Sequence, residues 1–131
     1  MEKRYIAAVA AVFVVWTLMD ALIHGVLLMP LYEASQALWR PMGEMIIWLM
    51  YLVTFVSAVV FVHIYYSLVA EKSMRNGLTF GGLFGIAWGI SMGYGSYSVM
   101  PIPYMLALGW FLGTLAESLA AGVIVGYVIR K

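Results

Sequence analysis

Asp20 and His24 stand four residues apart in "WTLMDALIHG" (16–25), and Glu117 breaks a long apolar run far along the chain. Ionisable side chains are costly inside a bilayer and are often placed there for function. Four-residue spacing puts Asp20 and His24 on one helical face. Glu117 shares a stripe with Gly109, Gly113 and Ala121, the stripe expected to turn inward. At a rise of 1.5 Å per residue, Asp20 falls ~13 Å, His24 ~8 Å and Glu117 ~20 Å below the outer surface, close enough in depth to converge.

Such a cluster has three readings. It can be a hydrogen-bond network holding the first helix to the last. It can be a proton relay or transport site, with the two carboxyls taking up and releasing a proton. It can be a metal site, since oxygen and nitrogen ligands suit a divalent first-row ion. No HxxxH or ExxH spacing supports the third reading, so cofactor and metal stay open, with Asp20, His24 and Glu117 as candidates. Eight of the ten methionines (Met19, Met29, Met42, Met45, Met50, Met92, Met100 and Met105) fall in the outer half. Thioethers favour Cu(I), but methionine is also an ordinary filler of apolar packing. His63 lies roughly 20 Å or more from His24 along the membrane normal, which speaks against a haem held by both.

Catalytic motifs are missing. "GYGS" (93–96) departs from GxSxG, and "GYGSYS" lacks the third glycine and the lysine of a phosphate loop. Two histidines cannot furnish a membrane di-iron oxygenase. With no cysteine there is no disulfide, zinc–thiolate or iron–sulfur chemistry. The expectation is that the chain is not an enzyme.

The elements that would hold these residues follow from composition. Hydrophobic residues make up 65% of the 131 and charged residues 10%, and mean hydropathy is +0.98, against about a quarter charged in soluble domains. Four apolar stretches, near 5–29, 42–69, 78–100 and 104–129, each reach the ~20 residues that cross a bilayer as a helix. The fold expected is a single all-α domain over 1–131, an antiparallel bundle of four transmembrane helices. The first stretch is too long for a signal peptide and has no small-residue cleavage site, so it is read as retained. Lys3, Arg4, Lys72, Arg75, Arg130 and Lys131 fall on one side of such a chain and only Arg40 on the other. That bias predicts both termini in the cytoplasm, in a prokaryotic inner membrane. A net charge of +1 gives no reason to expect nucleic acid.

Gly77, Gly81, Gly85, Gly89 and Gly93 recur every four residues in "GLTFGGLFGIAWGISMGYG". Glycine weakens a helix by about 1 kcal/mol relative to alanine, while between lipid-bathed helices small residues let backbones approach. The third helix is therefore expected at the centre as a glycine zipper. Gly109/Gly113 and Gly122/Gly126 supply matching steps on the fourth helix, and Ala7, Ala11, Ala21 and Gly25 supply small positions on the first.

The outer loop 30–44 has the mixed pattern of a short surface helix, with Pro41 in the first turn of the second span and Arg40 four residues before Glu44 as a solvated helix start. "MPLY" (29–32) and "MPIPY" (100–104) follow Trp16 and Trp88 at similar distances, a hint of a duplicated hairpin.

"WTLMDALIHG", "GGLFGIAWGISMGYGSY" (81–97) and the proline-bearing outer turn together resemble small bacterial four-helix membrane proteins grouped as domains of unknown function. The resemblance implies a fold and no activity. The chain differs from small multidrug antiporters, which are similar in length but hold an essential glutamate in the first helix, where Asp20 stands here. Two functions are expected in parallel. One is a small transporter or ligand- or ion-binding protein built on the Asp/His/Glu cluster. The other is a non-catalytic subunit or assembly factor of a larger membrane complex. The partners expected are the lipid bilayer, further copies of the chain or other membrane subunits.

Overall fold

The computed structural model describes residues 1–130; Lys131, counted above among the basic residues, lies outside them. The described residues are helical, without strands. The order is α1 Glu2–Leu22, extended by a π-helical turn Ile23–Leu27; α2 Met29–Ala34; α3 Ile47–Leu68; α4 Met74–Ile90, extended by a π turn Ser91–Gly95; α5 Ser96–Val99; and α6 Tyr104–Val128.

Three helical segments are long and apolar enough to cross a membrane: Glu2–Leu27, Ile47–Leu68 and Tyr104–Val128. The track from α4 to α5 falls outside that set. Its regular α-helix is only 17 residues long, and its sequence is diluted by glycine.

Local chemistry sets the boundaries. Pro30 occupies the first turn of α2, where its missing N–H goes unnoticed. Ser73 caps α4 by accepting from the Asn76 N–H at 3.1 Å. The Lys72 ammonium gathers the carbonyls of Tyr65, Tyr66 and Val69, closing the C-terminus of α3. α6 follows directly on Pro103, whose extended ψ of 140° ends the outer turn.

The start of α3 differs from expectation. Pro41 is extended (ψ 149°), Met42–Glu44 makes one 3-10 turn around Gly43, and the chain is still non-helical at Ile46 before α3 begins at Ile47. Arg40 and Glu44 therefore do not share a helix. Glycine at the centre of the turn and Glu44 at its end leave too little to propagate a helix from Pro41.

α4 and α6 pack backbone to backbone. A methyl group placed on Gly77 would strike the main chain of Gly122 and Gly126; on Gly81, that of Ser118 and Gly122; on Gly85, the Ser118 Cβ at 2.8 Å; on Gly93, the Ala107 carbonyl. All five glycines are buried.

Gly109 and Gly113 are not part of this seam. They receive the side chains of Leu28 and Ile23, at the C-terminal end of the α1 track. The reason is angular: thirteen residues separate Gly109 from Gly122, about 220° around a helix of 3.6 residues per turn. α6 thus has one small-residue face for α4 and a second for α1. The small positions of α1 are not used in kind, since Ala7 and Ala21 are exposed and Gly25 has nothing within 4 Å. Ala8, Val9, Val12 and Trp16 are the buried side of α1 instead.

Aromatic rings complete the core. Trp16 meets Trp88 at 5.6 Å and Phe61 at 5.5 Å, and Phe61 meets Phe80 at 4.6 Å and Phe84 at 5.1 Å. The two tryptophans that precede the similar proline-bearing turns thus meet each other at a tilt of 59°.

Candidate functional site

α1 and α6 bring Asp20 and Glu117 together. Trp16, one helical turn before Asp20, donates its indole N–H to the Glu117 main-chain carbonyl at 2.7 Å, which fixes the level of α1 against α6. One turn on, the Asp20 carboxyl lies beside the Glu117 carboxyl. A hydrogen bond between two carboxyls needs a proton on one of them, because an ionised carboxylate only accepts. Glu117 is 7% exposed, and its Oε1 is buried with no hydrogen-bond partner. The Asp20 side chain is 38% exposed, so the pair is closed on the α6 side and open on the other.

His24 continues from Asp20 toward the C-terminal end of the α1 track, its Nε2 at 3.8 Å from Asp20 Oδ1. It does not meet Glu117. The π turn at Ile23–Leu27, closed by Leu28 N–H to Ile23 O at 2.8 Å, inserts an extra residue and carries the chain from His24 into α2. Such insertions are frequent at functional sites because they re-aim a side chain.

There the ring finds Tyr32, whose hydroxyl is 2.6 Å from His24 Nδ1 and accepts the Trp110 indole N–H at 2.6 Å. Trp110 can only donate, while the Tyr32 oxygen can accept from Nδ1–H as well as donate to Nδ1. With Tyr32 donating to Nδ1, the imidazole proton sits on Nε2, on the side of Asp20. Burial holds the Tyr32 hydroxyl above its ordinary pKa, the Trp110 hydrogen bond opposing this and the Asp20 charge adding to it. Tyr32 therefore remains a donor through the neutral range. Trp39 closes over this end, donating to Ser35 Oγ at 3.0 Å and packing on Tyr32 and Trp110 at 5.5 and 5.9 Å.

The result is a polar row across two helices and a loop: Glu117, Asp20, His24, Tyr32, Trp110. A proton can be held between the carboxyls; the 3.8 Å from Asp20 to His24 is longer than a hydrogen bond, so passage of a proton along the row requires that gap to close. Among the described residues, no three His, Asp or Glu side chains gather as a metal ion requires. Asp20 bridges to Glu117 on one side and His24 on the other, in a line rather than a cup. His63 lies at the opposite end of the bundle, 3.4 Å from the Tyr5 hydroxyl and 3.3 Å from Ser67 Oγ. The outer methionines do not form one set: Met19 and Met100 pack on an apolar cluster, while Met42, Met50, Met92 and Met105 are exposed.

Tyr32, Trp110 and Trp16 escaped the sequence reading, which weighed charges rather than phenol and indole donors. Tyr32 stands eight residues past His24, and only the π turn and the proline-started α2 fold it back. Tyr32→Phe is expected to leave the Trp110 N–H and His24 Nδ1 without a partner. The expected cost is about 1–3 kcal/mol, visible as a lower melting temperature in detergent and faster amide exchange in α2. An unchanged exchange rate there would show that the hydroxyl does not hold the loop.

No protein-family model, curated protein or solved structure matches this chain, so no activity comes to it by likeness.

Proposed function

We propose that the chain is a small membrane transporter or ion-binding protein of a prokaryotic inner membrane, in which Asp20 and Glu117 hold an exchangeable proton served from outside through His24 and Tyr32. The observation that carries this is the buried carboxyl of Glu117, which has one oxygen without a partner and faces a second carboxyl. Leaving a buried carboxyl oxygen unpaired costs free energy, and a proton held between the two carboxyls offsets that cost.

Around this site we read four spans, with α4, its π turn and α5 as the third, held to α6 as a glycine zipper. Both ends are cytoplasmic, because Lys3, Arg4, Lys72, Arg75 and Arg130 share one end of the bundle. A cysteine introduced at Ser35 should then react with a membrane-impermeant reagent on intact cells, whereas one at Ser73 should react only after permeabilisation. Labelling of Ser73 from outside would invert the orientation.

The functional test is a thermal-shift screen of the purified protein against monovalent and divalent cations and small polar solutes, from about pH 5 to pH 8. Stabilisation that depends on pH and on the two carboxyls supports the reading. A melting temperature indifferent to pH and to every solute overturns it.

A second reading, a non-catalytic subunit or assembly factor, draws on α3. Its N-terminal half is exposed on nearly every side, with Trp48, Met50, Tyr51, Val53 and Val56 among the exposed residues, a surface broad enough for lipid, another copy or a partner helix. Native mass measurement of protein extracted from its own membrane distinguishes the two readings by partners and copy number.

A further inference from the structure

α3 and α4 meet at one end and part at the other. Phe61 and Tyr65 of α3 pack on Phe80 and Phe84 of α4, with ring centres 4.6 to 5.8 Å apart. Beyond these rings the helices diverge around a cleft of about 550 Å3, lined by Ser57 and Val60 on one wall and Phe84, Ala87, Trp88 and Ser91 on the other. That volume falls in the range of small-molecule sites, which are mostly apolar with a few placed polar groups.

The polar groups here are unspent. Helical hydroxyls commonly donate back to the carbonyl four residues earlier, as Thr17, Thr54 and Thr79 do to Phe13, Met50 and Arg75. Ser57 Oγ, Ser91 Oγ and the Trp88 indole N–H have no hydrogen-bond partner among the described residues. In hydrocarbon no water replaces that partner. Ser91 also opens the π turn of the α4 track, so its direction departs from that of a regular helix.

No charged residue lines the cleft, and its rim residues Val56, Val60 and Ala87 are exposed on the side that lipid would cover. The occupant must therefore be uncharged and arrive from the bilayer. Phe84 and Trp88 give the cleft an aromatic lining suited to a flat body. The indole N–H can only donate and the two hydroxyls can donate as well as accept, so acceptor oxygens on the occupant can be met by all three.

We propose that the α3/α4 cleft binds an uncharged, ring-bearing lipophile with carbonyl oxygens, taken laterally from the membrane. Its ring lies against Phe84 and Trp88, and its oxygens accept from Ser57 and Ser91. The site does not depend on the carboxyl pair. The two are nevertheless adjacent, because Trp88 packs against Trp16 and Trp16 donates to the Glu117 main-chain carbonyl.

The test uses the whole protein in lipid nanodiscs and follows tryptophan fluorescence. The probes are a decyl-substituted benzoquinone and decylbenzene, which has the same chain and ring but no carbonyls. The quinone should give a saturable component above the linear quenching of a membrane-dissolved quencher. Ser57→Ala combined with Ser91→Ala should weaken that component about tenfold, and Ala87→Trp, at an exposed position, should remove it by filling the cleft. Decylbenzene, scored by displacement of the quinone, should compete about tenfold less well. The proposal is overturned if the quinone shows no saturable component, if decylbenzene competes equally, or if the serine pair has no effect. Equal competition would make the cleft an apolar slot for acyl chains. The serine variants are conservative and keep the test decisive even if Ala87→Trp fails to fold.

Discussion

Gly81→Leu and Gly85→Leu should each destabilise the protein by about 3 kcal/mol, at the upper end of what overpacking costs. At Gly81 the added carbon meets the Ser118 carbonyl and, at 3.0 Å, Gly122 Cα; at Gly85 it meets Leu115 Cα at 3.1 Å as well as Ser118 Cβ. These are mostly main-chain atoms of α6, and they cannot step aside as the end of a side chain can. Relief requires α4 to move off α6, which opens the seam along its length.

The neighbouring glycine provides the control. A carbon on Gly82 would meet only Leu119 Cδ2, at 3.6 Å, an ordinary contact. Gly82→Ala should be neutral or stabilise by up to about 1 kcal/mol through better helix propensity. Leu83, 65% exposed, should tolerate alanine. Melting in detergent of the four variants side by side is the measurement. If Gly81→Leu melts with Gly82→Ala, the α4/α6 contact does not hold the bundle together.

The same geometry marks where sequence periodicity carries information and where it stops. A four-residue repeat is a statement about one face, and Gly77, Gly81, Gly85 and Gly89 of α4, with Gly93 of the π turn, are all buried. It says nothing about which neighbour that face meets. Gly109/Gly113 and Gly122/Gly126 look like two copies of one signal, yet the thirteen residues between them turn the second pair away from the first. Glu117 goes with Gly109 and Gly113, and so turns to α1 and Asp20. Its neighbour Ser118 turns to α4.

The outer end was harder to read for a different reason. Regular spacing carries Asp20 to His24, but a π turn then breaks the period, and a loop residue, Tyr32, takes the place beside His24. The start of α3 was misplaced because the composition of 42–46 is apolar while its backbone is not helical. The cleft between α3 and α4 has no signature at all in sequence. It arises where Phe61, Tyr65, Phe80 and Phe84 hold two helices together at one end only.

Glu117→Gln and Asp20→Asn decide between a structural contact and a working site. If the carboxyls serve only to join α1 to α6, an amide at either position still donates and accepts, and the cost should stay near the ~1 kcal/mol of an ordinary hydrogen bond. The dependence of melting temperature on pH should then be the same for wild type and variants. If the pair exchanges a proton, the amide removes the group that titrates. The folded protein should persist, while its pH-dependent stabilisation and any ligand-induced shift disappear. Both variants should behave alike, because one proton is shared by both carboxyls.

Infrared difference spectra recorded on stepping the pH give the direct readout. Wild type should show a carboxylic acid C=O band that changes with pH, and that change should be lost from both Glu117→Gln and Asp20→Asn. His24→Gln should keep the band but slow its exchange with deuterium from the outer side, since the ring lies between Asp20 and Tyr32. A wild type without a protonated carboxyl band, and variants whose pH profile matches it, would leave Asp20 and Glu117 as a joint between two helices. The protein would then be better described as a subunit than as a carrier.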